Sequence, residues 1–195
     1  MVTAMGFVTD FADQAVILPV AAATAIVLAL AGWWRGAIVW SLAVGGTLAT
    51  MLVLKLASAA CGNLLPIPGL HSPSGHTAAA GAVYGGLLGI VAERLSGHAR
   101  WTLPCALSVA VVIGLSRLSL GVHTVAEVVA GGVVGVCGAL ALAWQGGLPP
   151  PGLRLAPMAA WALAAMIVFH GLHLPIESAL REDAGNIWPF SLCRR

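Results

Sequence analysis

A chain of 195 residues, 59% hydrophobic and 8% charged, with mean hydropathy +0.97 and net charge +2, cannot cover a water-exposed surface; soluble domains carry about 25% charged residues. The composition implies an all-α integral membrane protein, with residues 1–195 as a single membrane domain and no room for a sizeable soluble one. The small net charge, with no basic run beyond Arg194-Arg195, argues against a nucleic-acid footprint.

Six apolar segments predict a bundle of six transmembrane helices, each near the roughly twenty residues needed to span. The first covers about 15–33. No Lys or Arg precedes it, only Asp10 and Asp13, unlike a signal peptide, so it is expected to be retained. Pro19 falls near its start, where a missing N–H is tolerated. The second covers 37–57, the third 76–92, the fourth 101–116, the fifth 122–144 and the sixth 156–174. Trp33-Trp34-Arg35-Gly36 reads as a tight turn and 58–73 as a longer loop rich in Pro and Gly. Residues 145–154, with Gly146-Gly147 and Pro149-Pro150-Pro151, read as a rigid linker. The tail after Pro175 is polar and mixed in charge, which suits an interfacial segment.

Gly81, Gly85 and Gly89 recur every fourth residue in the third segment, as do Gly131 and Gly135 in the fifth. Small residues at that spacing let helix backbones approach closely, so each of these helices is expected to pack against a neighbour, the other being one candidate. Cys61, Cys105, Cys137 and Cys193 show neither CxxC nor metal spacing, and no carboxylate cluster suggests a divalent metal. The loops after the first, third and fifth segments carry Arg35, Arg94, Arg100 and Arg154, with Trp33, Trp34, Trp40, Trp101 and Trp144 forming an aromatic belt at the same boundary. Positive residues favour the cytoplasmic side, although Arg181, Arg194 and Arg195 in the tail pull the other way. The opposite end is therefore expected to face the periplasm or exterior.

The polar residues at that opposite end carry the chemistry. Lys55 ends the second segment; Ser74, Gly75 and His76 open the third; Ser116 and Arg117 close the fourth; His123 and Glu127 begin the fifth. A helix start offers unpaired amides to an anion, Gly75 permits close backbone approach, Arg117 can fork onto two phosphate oxygens and Lys55 adds a point charge. His123 and Glu127 are four apart and share a helix face. A carboxylate on one ring nitrogen leaves the other nucleophilic, and His76 can protonate a leaving oxygen. The set reads as phosphoryl transfer through a phosphohistidine. Ser72 and Thr77 read as helix caps. His98, His170 and His173 read as interfacial side chains, and His71 adjoins the site loop.

S-P-S-G-H at 72–76 and S-R-x5-H-x3-E at 116–127 resemble the second and third motifs of the type 2 phosphatidic acid phosphatase superfamily. The resemblance covers roughly Lys55 to Gly135 and implies a membrane lipid phosphate phosphatase. Its substrate would be a phosphomonoester or diphosphate such as a polyprenyl diphosphate or a phosphatidate-like lipid. It implies His123 as nucleophile, Glu127 as its orienting acid and His76 as general acid and then base. Lys55, Ser74, Gly75 and Arg117 would hold the phosphate, with no metal or other cofactor. The family's distribution points to a bacterial inner membrane. Two departures stand out. The first motif, K-x6-R-P, keeps Lys55 but has Gly62 and Asn63 where Arg and Pro are usual, and position 127 is Glu where Asp is usual. Loss of the arginine raises the alternative of a non-catalytic protein that binds or moves a lipid phosphate.

Overall fold

A computed structural model describes residues 2–61 and 67–174, and the described residues are helical with no strand. The helices are α1 (Val2–Asp10), α2 (Gln14–Leu30), α3 (Trp34–Cys61), α4 (Gly75–Ser96), α5 (Thr102–Ser119), α6 (Val125–Gly146) and α7 (Leu155–Phe169). Helices α2 to α7 correspond to the six predicted segments. By length and composition, α3, α4, α5 and α6 can each cross a membrane, and α1 with α2, bent by 40°, makes a fifth candidate span. Helix α7 has 15 residues, about 22 Å at 1.5 Å per residue, short of a hydrocarbon core of about 30 Å. The tail after Pro175 and the expected interfacial segment lie outside the described residues.

Helix α4 is the centre of the bundle, packed against α2, α3, α5 and α6. Its first turns are Thr77-Ala78-Ala79-Ala80-Gly81-Ala82, all buried. Apolar burial gives helices little reason to associate in lipid, so close packing of small residues must supply the attraction. The glycine stripe does this on two sides. A Cβ on Gly81 would touch the Gly135 backbone of α6 at 3.4 Å, whereas one on Gly85 or Gly89 would strike Ala106 or Thr102 of α5. The third and fifth predicted segments thus meet through Gly81 and Gly135.

Three local expectations change. Pro19 lies inside α2 rather than in its first turn, because Asp13 caps the helix by accepting from Ala15 N at 2.8 Å and starts it at Gln14. Lys55 does not end its helix: α3 runs on to Cys61, with Ser58 Oγ donating to Leu54 O at 2.7 Å. Trp40 is no belt residue. Its ring is buried in the core and its indole N–H donates to Ala21 O at 2.9 Å. Trp34, Trp101 and Trp144 are exposed. Arg35 Nε donates to Gln145 O at 2.9 Å, and Arg94 donates to Pro151 O, so the start of α3 and the ends of α4 and α6 form one basic end.

Candidate active site

At the other end, the loop before α4 folds onto the start of α6. Ser74 caps α4, and its buried hydroxyl accepts from Thr77 Oγ1 at 2.9 Å and from Thr77 N at 3.5 Å. The capping residue is Ser74, with Thr77 as its partner. Ser74 N donates to Glu127 O at 2.9 Å, and Gly131 makes this seat possible: a Cβ there would run into the Ser74 carbonyl. Gly131→Ala is expected to destabilise the protein by about 1–3 kcal/mol through this collision. A thermal unfolding midpoint in detergent equal to wild type would refute the close approach.

Glu127 is the centre of the polar network. Its Oε1 accepts from Ser72 N at 2.9 Å and His71 N at 3.2 Å; its Oε2 accepts from Thr124 N at 3.1 Å and lies 2.8 Å from His123 Nδ1. Thr124 Oγ1 in turn accepts from Glu127 N at 3.2 Å, completing a capping box on α6. The departure from Asp to Glu thus has a physical basis. The third helical position of a capping box takes Glu or Gln, and the longer side chain also spans to the 71–72 amides.

The side chain of His123 is 6% exposed. Burial lowers its pKa below the ordinary imidazole value of 6.5; the hydrogen bond to Glu127 opposes this, and the charges of Arg117 and Lys55 add to the lowering. The carboxylate accepts, so Nδ1 carries the hydrogen and Nε2 keeps its lone pair.

Lys55, Gly75, His76 and Arg117 line one cavity of about 490 Å³ with Asp13, His173 and the apolar side chains of Leu18, Leu48, Met51 and Leu52. Lys55 reaches from the side of α3 to the first residue of α4, where a Cβ on Gly75 would lie 3.2 Å from Lys55 Cε. Arg117, in the last turn of α5, donates to Thr9 Oγ1 of α1 at 3.2 Å. Ser74, His123 and Glu127 are not part of that lining; the 71–74 loop joins them to it, and His123 senses Lys55 and Arg117 through their charge. Ser116 is fully buried and donates to Ile113 O at 2.7 Å. Gly62 and Asn63 lie outside the described residues.

Sequence reading missed Asp13 and Thr9 as members of this end. An acid just before an apolar run is a recognisable cap signal for Asp13. Nothing in the sequence ties Thr9 to Arg117. His170 and His173 are also more than interfacial. His170 packs on the rings of Phe7 and Phe11 with centroids 4.4 Å away, and its Nε2 lies 3.1 Å from Phe7 O; His173 Nε2 lies 3.0 Å from Asp10 Oδ1. They fasten α1 to the turn after α7.

The fold and this end of it define an apolar helical protein that gathers cations, imidazoles and a helix start around one cavity with an apolar wall. The chain belongs to the PAP2 superfamily, whose model matches residues 11–148. That family's members are generally phosphatases acting on lipid phosphates, which supports a membrane phosphate hydrolase. The chain is similar to an "Uncharacterized 22.5 kDa protein in cps region" of Klebsiella pneumoniae, 32% identical over 189 residues that cover 93% of this chain and 90% of the relative. No solved structure matches it.

Proposed function

We propose that the protein is a lipid phosphate phosphatase that works through a phosphohistidine on His123, without a metal. The observation that carries this reading is the buried His123–Glu127 pair at 2.8 Å, set in the charge field of Lys55 and Arg117. The phosphate would lie against Lys55, Arg117 and the amides after Ser74 at Gly75. The apolar wall from α2 and α3 suits the tail of an amphiphile such as a polyprenyl diphosphate or a phosphatidate-like lipid.

His123 Nε2 attacks phosphorus, the bond to the leaving oxygen breaks, and that oxygen takes a proton from His76. Water then attacks the phosphohistidine while His76 takes its proton. The P–N bond breaks, inorganic phosphate departs and both imidazoles return to their starting state. Glu127 stays ionised and holds the His123 ring in place.

The attacking ring must be neutral. Its pKa is lowered by burial and by Arg117 and Lys55, so the acid limb of kcat/KM should lie below pH 6.5. Stability has the same sign: at a pH below 6.5 the unfolded imidazole takes a proton more readily than the buried one, so His123's contribution is lost as pH falls through its folded pKa. A limb at or above 6.5 would contradict the assignment of His123.

The six predicted segments would cross as α2 to α7, the short α7 accommodated by local thinning of the bilayer, with the basic end in the cytoplasm and the site facing the periplasm of a bacterial inner membrane. The test is phosphate release from a panel of lipid phosphates in detergent, with a chelator present and protein-free detergent as blank. Release sustains the reading, and no release from any member sinks it. Binding of those lipids without turnover would establish the second reading, a lipid-phosphate binder, which the Gly62 departure favours.

A further inference from the structure

The cavity contains an acid that the phosphatase reading does not use. Asp13 is 6% exposed, and its two oxygens have different tasks. Oδ1 accepts from Ala15 N at 2.8 Å, capping α2, and from Leu174 N at 3.3 Å. Oδ2 stands 3.9 Å from His76 Nε2. A cap alone requires no charge; Asn or Ser serves as well. The charge has a use in the cavity. Among the described residues, the charged and titratable groups lining the cavity with His76 are Lys55 from α3, Arg117 from α5, His173 after α7 and Asp13, with His123 and Glu127 at the start of α6 beyond the lining. Among the described lining residues Asp13 is the one acid, beside two permanent cations. Those cations oppose a third positive charge on His76, whereas a general acid must hold its proton until the leaving oxygen takes it.

We infer that Asp13 is a positioning residue for His76: its fixed carboxylate offsets Lys55 and Arg117, keeping the imidazole protonated and turned for proton delivery. This rests on the phosphatase reading for its consequence, though the Asp13–His76 coupling stands by itself. During turnover the proton moves from His76 to the leaving oxygen, and the neutral ring recovers one from the attacking water. Asp13 takes no part in the proton transfers. The distance of 3.9 Å makes this a charge contact rather than a hydrogen bond.

Asp13→Asn keeps the cap and the shape and removes the charge. Its alkaline limb should move about one unit to lower pH, and kcat on an alkyl lipid phosphate should fall about ten- to a hundredfold, part of the 10²–10⁴ typical of general acids. 4-Nitrophenyl phosphate, whose leaving group needs little protonation, should lose only a few-fold. Asp13→Ser, also a competent cap, should behave alike. An unmoved limb with equal losses on both substrates would reduce Asp13 to a cap and overturn the inference. In parallel, the His76 imidazole is titrated by NMR on nitrogen-15-histidine protein in detergent, assigned against His76→Gln. A lower midpoint in Asp13→Asn supports the coupling, and an unchanged midpoint overturns it. If the wild type releases no phosphate, the phosphatase reading falls, and the titration still decides the role of Asp13.

Discussion

His123→Ala should abolish phosphate release, with a loss on the order of 10³-fold or more in kcat, the scale seen when a nucleophile is removed. The ring is buried and held through one contact to Glu127, while the loop and the α6 cap rest on backbone amides that the substitution leaves in place. Folding should therefore survive. A monodisperse variant with an unchanged helical spectrum and no turnover is the expected outcome. Labelled phosphate trapped on wild type in acid-labile form, and absent from His123→Ala, would identify the intermediate. Turnover within tenfold of wild type would rule out His123 as nucleophile.

Glu127→Gln should be nearly as severe, for a different reason. The substitution keeps volume and preserves a carbonyl oxygen for some of the amides. An amide NH₂ toward Nδ1 reverses the hydrogen bond, however. Nδ1 becomes the acceptor, Nε2 carries the hydrogen, and the lone pair needed for attack is gone. The equivalent tautomer error in a serine protease triad costs about 10⁴ in kcat. Alternatively, if the amide oxygen faces His123, its NH₂ confronts the Ser72 and His71 amides, and each stranded N–H costs about 1–3 kcal/mol. Either rotamer loses something. The measurement is kcat together with the unfolding midpoint in detergent; full activity at full stability would show that Glu127 is not the ring's orienting acid.

The sequence disclosed the helices that are long and apolar. Segments two to six correspond to α3 to α7 because each is a continuous apolar run between Pro- and Gly-rich breaks. Helix α1 was invisible: nine residues, Val2–Asp10, carry neither length nor a cap signal. Trp40 sits close to a predicted boundary, and only the tertiary contact to Ala21 O puts it in the core. The bond between Glu127 and His123 is legible because it is local, four residues apart. The bond from Ser72 to the same carboxylate, the Thr9–Arg117 bond and the Asp13–His76 contact join distant parts of the chain, and no periodicity encodes them. Lys55 lies at this end but within its helix, because Ala57-Ser58-Ala59-Ala60 continues a helix as readily as it starts a loop.

One carboxylate braces the loop, caps α6 and orients a ring, and this bears on how such a chain would decay if its chemistry were no longer selected. Glu127 would outlast the activity, since its replacement strands backbone amides whatever the protein does. His123, which touches the carboxylate and not the backbone amides, has no comparable scaffolding duty and would be free to drift first. In a set of descendants, an intact acid at this position therefore says little about turnover, and the imidazole at position 123 is the residue whose presence dates the last use of the reaction.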